Sequence, residues 1–150
     1  MAESPTIFTV PLFSDLCNLG FRLRRQVFIA EQGVPPEEEF DALDLTAHHL
    51  VAVLDGSVCG VLRVLAGEDP VRIGRVAVAR EARGRGVGAA LIRRVLTEFE
   101  AVADGRFTLS AQADKLGFYE SFGFRASGEP YLDCGIPHQT MQRNPAAPTG

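Results

Sequence analysis

The chain is short of cysteine, of long apolar runs and of net positive charge, and each shortage removes a class of protein. Its three cysteines, Cys17, Cys59 and Cys134, are odd in number and widely spaced, with no CxxC pair. That pattern excludes a disulfide framework and a zinc knuckle and fits a reducing compartment, so a cytoplasmic protein is expected. With neither a HExxH pair nor a cysteine cluster, no metal is expected. Apolar runs fall short of the roughly 18 residues of a membrane span, and MAESPTIF lacks the basic start and apolar stretch of a signal peptide. The formal net charge is −4, which argues against nucleic acid as a partner because phosphate contacts need a net basic face. Internal repeats and linkers are also missing.

What is present is ample material for a core. Of 150 residues 46% are hydrophobic and 23% charged, and a chain of this length can bury roughly 70% of its unfolded surface without staples. One domain over residues 1–143 is expected, with a Pro/Gly/Ala-rich tail at 144–150 that frays. The charges are segregated. Residues 31–44 hold six carboxylates (Glu31, Glu37, Glu38, Glu39, Asp41, Asp44) and no Lys or Arg, whereas 72–94 hold seven arginines against Glu81 alone. The first stretch should attract cations and the second anions, unless both are simply solvated faces.

Periodicity places the elements. TIFTV (6–10) alternates as a strand, and Ser14 can cap a helix whose stripe runs through Leu16, Leu19, Leu23, Val27 and Phe28 to an end near Gly33. VPPEEEFDALDLT reads as a loop with a short helical turn at most. Residues 49–65 form two strands around Asp55-Gly56, a pair that tolerates positive φ, and VRIGRVAVA (71–79) adds a third to an antiparallel meander. After a glycine-rich turn, AALIRRVLTEFEAVA is an amphipathic helix ended by Asp104-Gly105. RFTLSAQ (106–112) follows by a helical crossover and should run parallel to the preceding strand. ADKLGFYESF is a shorter helix stopped by Gly123, and FRASGEPYLDCGIPHQTMQR supplies one or two closing strands.

The turn AREARGRGVG is the most informative segment. Glycine lets the backbone curl and turn successive N–H groups outward at the positive end of the helix dipole, where a phosphate can sit. A Walker A loop is excluded because no Gly-Lys-Ser/Thr follows. GxGxxG/A is formally met by Gly84, Gly86 and Ala89, yet the turn follows a meander instead of opening the fold, and about 60 residues remain, too few for a dinucleotide domain. The third pattern, (Gln/Arg)-x-x-Gly-x-(Gly/Ala), is met by Arg83, Gly86 and Gly88.

With RRQVFIAEQ, IGRVAVAREARGRGVG, LSAQADKLGFYESFGF and GEPYLDCGIPHQTM in that order, the chain resembles the GCN5-related N-acetyltransferases (GNAT), and within them the ElaA-type branch. The resemblance spans roughly residues 23–141. It implies an α/β (α+β) GNAT fold: a mixed central sheet with an antiparallel N-terminal meander, a splayed parallel pair of fourth and fifth strands, and helices on both faces. It also implies acetyl-CoA as acyl donor in that splay. Val76, Ala77 and Val78 would meet its pantetheine arm, and the backbone from Arg83 through Gly84, Arg85, Gly86, Val87 and Gly88 to Ala89 would hold its pyrophosphate. Gln112 stands where many relatives carry an Asn that helps hold the cofactor.

Tyr119, which reads as core among Leu116, Phe118, Phe122 and Phe124 when taken alone, falls on the family's tyrosine facing the cofactor sulfur. The implied reaction is acetylation of a primary amine by direct attack in a ternary complex. An amine with a pKa like lysine's is neutral in roughly one molecule in two thousand at pH 7, so something must take its proton. Glu31 is the leading base or substrate-orienting residue, and His49 and His138 also match positions typical of the branch as substrate contacts. The acidic stretch 31–44 suggests a cationic acceptor. Partners beyond acetyl-CoA and that acceptor are not implied, neither nucleic acid nor membrane, and a homodimer stays open. Two other readings compete: a non-catalytic acyl-CoA-binding module and a nicotinamide-dependent oxidoreductase.

Overall fold

A computed structural model of the chain describes residues 4–145. The tail expected at 144–150 therefore lies outside the described residues from 146 onward. Strand β1 (Thr6–Val10) pairs antiparallel with β2 (His48–Leu54), β2 with β3 (Ser57–Leu65) and β3 with β4 (Val71–Val78). Strand β5 (Phe107–Gln112) lies parallel to β4 and antiparallel to β8 (Ile136–Arg143); β6 (Arg125–Ala126) and β7 (Tyr131–Asp133) both pair with β8. The sheet is thus mixed, in the order β1-β2-β3-β4-β5-β8-β6. The hairpin between β2 and β3 turns on Asp55 and Gly56, both left-handed with φ of 53° and 76°, as two-residue hairpin loops favour.

Helix α1 (Asp15–Arg24) is capped by Ser14, whose Oγ accepts from the Cys17 N–H at 3.2 Å. It continues as a wider helix of π type over Arg25–Glu31, where the Gln32 N–H reaches back five residues to Val27 O. After α2 (Pro36–Glu39) come α3 (Val87–Glu98), α4 (Glu100–Ala103) and α5 (Leu116–Glu120). The sheet is covered on both faces. An added Cβ at Gly20 of α1 would lie 3.1 Å from side-chain atoms of Val51 and Val61, which are cross-strand partners. One residue further along each strand, Ala52 and Gly60 point the other way, and Gly60 meets Val87 and Leu91 of α3.

Several sequence expectations shift. The buried face of α1 is Cys17, Gly20, Leu23 and Arg24, while Leu19 is 43% exposed. Close approach to the sheet selects the face carrying Gly20, and that face brings an arginine inward. The helix expected from 89 to 103 begins at Val87 and breaks at Phe99, leaving Val102 exposed. The closing segment forms three strands instead of one or two. Among the described residues, no helix is long and apolar enough to cross a membrane.

Gly60 fixes how near α3 sits to the sheet. A Cβ there would stand 2.6 Å from Val87 Cγ1 and 3.0 Å from Leu91 Cδ1, so Gly60→Ala must push the first turn of α3 outward. A loss of about 1–3 kcal/mol is expected from overpacking, read as a lowered midpoint in thermal unfolding; an unchanged midpoint would show that α3 has room to move.

Candidate functional site

The site begins where two parallel strands part. Strands β4 and β5 pair at Val71–Phe107, Arg72–Thr108 and Ile73–Leu109 and then separate. The cause lies on the other edge of β4. Between the pairs Arg63–Gly74 and Val61–Ala77, β3 advances two residues and β4 three, a bulge that bends and twists β4. Arg75 occupies the bulge in the left-handed region at φ 53°, which costs a non-glycine residue of order 1 kcal/mol. Its guanidinium compensates through Nε to Glu39 O at 3.0 Å, Nη2 to Glu38 O at 3.3 Å, and the Glu39 and Asp41 carboxylates at 3.3 and 3.4 Å.

Beyond the bulge a cleft of about 550 Å³ opens, lined by the diverging strands, the glycine turn, the end of the π-type helix and α5. The Ala79 N–H donates to Cys59 O at 2.8 Å, so ladder alternation turns the backbone groups of Ala77 toward β3 and those of Val76 and Val78 toward the cleft. An unpaired strand edge of this kind suits an extended ligand carrying amides.

At the wide end of the cleft, Gly84 and Gly86 both sit at φ 79°, and Gly86 caps α3 with no side chain of its own. The first intrahelical bond is Ala90 N–H to Gly86 O. The N–H groups of Val87, Gly88 and Ala89 precede it at the positive end of the helix, an arrangement that fits a diphosphate. Arg83 donates to Val78 O at 3.1 Å and to Glu31 Oε2 at 2.9 Å, and Arg85 donates to Asp55 Oδ2 at 3.2 Å.

Four of the six carboxylates in the acidic stretch are matched by arginines, which leaves Glu37 and Glu38 exposed to solvent. Arg24, 1% exposed, holds Glu39 at 2.8 Å and Asp44 at 2.8 Å; Arg63 holds Asp41 at 2.7 Å and Asp44 at 3.0 Å. Glu31 is taken up by Arg83. Burial would raise the Asp44 carboxyl, but bonds and charges from Arg24 and Arg63 outweigh it and hold the group below its usual range. The Arg63 hydrogen bond likewise lowers Asp41, whereas at Glu39 burial wins over the arginines and raises it. Of the seven arginines, Arg72, Arg75, Arg83, Arg85 and Arg94 are matched as well, by Glu68, Glu39, Glu31, Asp55 and Glu98.

Of the residues singled out in the sequence, Glu31, Val76, Ala77, Val78, Arg83, Gly84, Gly86, Val87, Gly88, Ala89, Gln112, Tyr119 and His138 all line this cleft. Arg85 is turned to Asp55 outside it. Tyr119 is 8% exposed, and burial pushes its phenol up to about 12. Gln112 exchanges amide hydrogen bonds with Gln32, at 2.9 and 3.4 Å, bridging β5 to the end of the π-type helix. His49 is the correction. It is 2% exposed beneath Phe21, with Nε2 2.8 Å from Asp44 O and burial lowering its pKa, and it does not line the cleft. Adjacent to His48 on a strand, it takes the inward face.

Neither Cys59 nor Cys134 lines the cleft. Cys59 is buried, and the exposed Cys134 thiol, bonded to Glu38 at 3.3 Å, is pushed up to about 11 by that bond. Sequence reasoning missed Gln32, Arg75, Ser110, Lys115 and Phe118, which also face the cleft. Gln32 had a signal, its place beside Glu31 at a helix end; Arg75 had none, since nothing local marks a bulge filled by arginine.

The family model for the acetyltransferase (GNAT) domain matches residues 20–145. Protein ElaA of Escherichia coli is 38% identical over 128 residues, covering 81% of this chain and 83% of that protein. Its crystal structure superposes with a TM-score of 0.82 over 95% of this chain and 100% of that one. The uncharacterized N-acetyltransferase YjcF of Bacillus subtilis is 34% identical over 129 residues, 83% of this chain and 90% of its own. An acyl-CoA N-acyltransferase from Pseudomonas aeruginosa matches with TM-score 0.80 and 38% identity, covering 93% and 99% of the two chains.

Proposed function

Because the chain belongs to the GNAT acetyltransferase family, we propose that it transfers an acetyl group from acetyl-CoA to a primary amine by direct attack within a ternary complex. The observation that carries this reading is the cleft between β4 and β5, which joins a free strand edge to the uncapped start of α3. When bound, acetyl-CoA supplies the activated thioester. The chain's residues do the rest. N–H groups from Gly84 through Ala89 hold the diphosphate, the Arg83 N–H being taken by Arg80 O at 3.3 Å, and Arg85 can leave the exposed Asp55 carboxylate to add charge there. Val76 bonds the pantetheine amides along the β4 edge, and Val78, whose carbonyl is taken by Arg83, offers its cleft-facing N–H to stabilise the oxyanion. Ala77 contributes its side chain alone. Gln112, with Gln32, closes the wall on the β5 side. Tyr119 donates a proton to the departing sulfur. Glu31, tied to Arg83, orients and does not act as the base.

Direct attack is favoured over a covalent enzyme intermediate because the two candidate thiols lie off the cleft with their pKa values raised. Initial-rate kinetics with both substrates varied should give intersecting lines, and Cys134→Ser should keep the wild-type rate; parallel lines would overturn direct attack. With four of the six carboxylates in residues 31–44 paired internally, the acceptor's Michaelis constant should respond little to ionic strength. A steep rise with salt would restore the acidic stretch as a steering surface.

The reading is tested by thermal unfolding with acetyl-CoA, longer acyl-CoAs and nicotinamide nucleotides, followed by thiol release across an amine panel. Stabilisation by acetyl-CoA with turnover is expected. Stabilisation without thiol release from any amine would reduce the protein to a binding module, and stabilisation by a nicotinamide nucleotide alone would replace the reading.

A further inference from the structure

Once Glu31 is committed to Arg83, the proton of the attacking amine needs another acceptor, and the cleft offers one. His138 of β8 stands directly opposite Gln112 of β5 and directly opposite Tyr131 of β7, so all three side chains leave the same face of the sheet. Its ring is fixed twice. Nδ1 lies 2.7 Å from Ile136 O, and the ring stacks on Tyr131 at 5.9 Å between centroids and 23° between planes. Tyr131 is anchored in turn by a hydrogen bond between its hydroxyl and Ser110 Oγ. A carbonyl oxygen only accepts, so Nδ1 carries the proton, and in the neutral ring the lone pair is then on Nε2. The residue itself lines the cleft that also holds Tyr119.

We propose that His138 Nε2 is the proton acceptor for the incoming amine and that Tyr131 is a positioning residue that holds the imidazole for it. This rests on the acyl-transfer reading. In the step, the amine nitrogen forms the new C–N bond and the C–S bond breaks. The nitrogen's proton goes to Nε2, and the thiolate is protonated through the Tyr119 hydroxyl as that hydroxyl receives the imidazolium proton through water, leaving amide, free thiol and unchanged enzyme.

The closing experiment has an arm that does not need the natural acceptor. Nitrogen-15 spectra of histidine-labelled protein with acetyl-CoA bound should show His138 as the Nδ1–H tautomer, and Tyr131→Ala should blur that signal while Tyr131→Phe keeps it. With methylamine as the acceptor, His138→Gln should lower kcat by at least about tenfold with acetyl-CoA affinity unchanged, imidazole should restore part of the rate, and Tyr131→Phe should stay nearer wild type than Tyr131→Ala. An Nε2–H ring, or His138→Gln turning over at the wild-type rate, overturns the proposal while leaving acyl transfer in place. Failure of the unmodified protein to bind acetyl-CoA overturns the acyl-transfer reading itself, and this inference with it.

Discussion

Tyr119→Phe will slow acetyl transfer by more than about tenfold and leave the affinity for acetyl-CoA intact. The two effects separate because the ring and the hydroxyl do different work. The ring packs edge-on against Phe118 at 5.0 Å and Phe124 at 6.1 Å between centroids, contacts that phenylalanine keeps, so fold and cleft survive. The hydroxyl is the group to which the proposed reading gives the chemistry. Burial raises the phenol to about 12, so it stays protonated across the working range, while a free thiol has a pKa near 8.5. On the proposed reading Tyr119 would therefore serve as a hydrogen-bond donor to developing negative charge on sulfur, giving up its proton only as another replaces it. The sign for pH follows. Activity needs the protonated phenol and is lost as pH rises through about 12, so kcat in the unmodified protein should climb with amine deprotonation and show no descending limb below about pH 10. A descending limb near 9, absent in Tyr119→Phe, would mean that the phenol ionises far more easily than its burial allows. Equal rates for the two proteins would remove Tyr119 from the mechanism.

How far the sequence carried this site depends on the scale at which each feature is encoded. Elements written in local pattern were legible: TIFTV became β1, Asp55-Gly56 became the hairpin, and the glycine turn became the uncapped start of α3. The parallel pairing of β5 with β4 followed from the helical crossover between them. Composition misled where partners came from distant segments. Glu39, Asp41 and Asp44 look like free acidic surface only until Arg24, Arg63 and Arg75, contributed by α1, β3 and β4, are folded against them, while Glu37 and Glu38 stay exposed. His48 and His49 are equivalent in sequence, and register alone decides that His49 goes inward. The bulge at Arg75 had no signal of its own, since it exists because β4 must accommodate one residue more than β3 and the acidic loop waits to hold the guanidinium.

The same network carries the second large effect. Arg24→Met should destabilise the protein by about 3–5 kcal/mol, the loss expected when one partner of a buried ion pair is removed and the other stays. Methionine fills much of the same volume between Phe21 and Phe40, which the guanidinium now covers at 5.2 and 4.7 Å, so the loss reports charge more than packing. Asp44 keeps Arg63 and Glu39 keeps Arg75, but Glu39 is already raised by burial and loses its nearest cation. The pH dependence then distinguishes an electrostatic cause from a merely loosened fold. In the wild type, Asp41 and Asp44 have folded-state pKa values below their unfolded ones; their stabilisation is present above the unfolded values, near 4, and lost as pH falls through the lower folded ones. In Arg24→Met the folded-state pKa of Glu39 rises further above its unfolded value, so the folded protein takes up a proton there first and regains stability as pH falls toward 5. Unfolding midpoints measured from pH 8 to 5 should therefore converge between the two proteins. Since Arg24 and Arg75 share the Glu39 carbonyl at 2.9 and 3.0 Å, the variant should also loosen the bulge that parts β4 from β5. Weaker acetyl-CoA binding well below the unfolding midpoint would register that, and a midpoint difference that stays constant with pH would sink the electrostatic account.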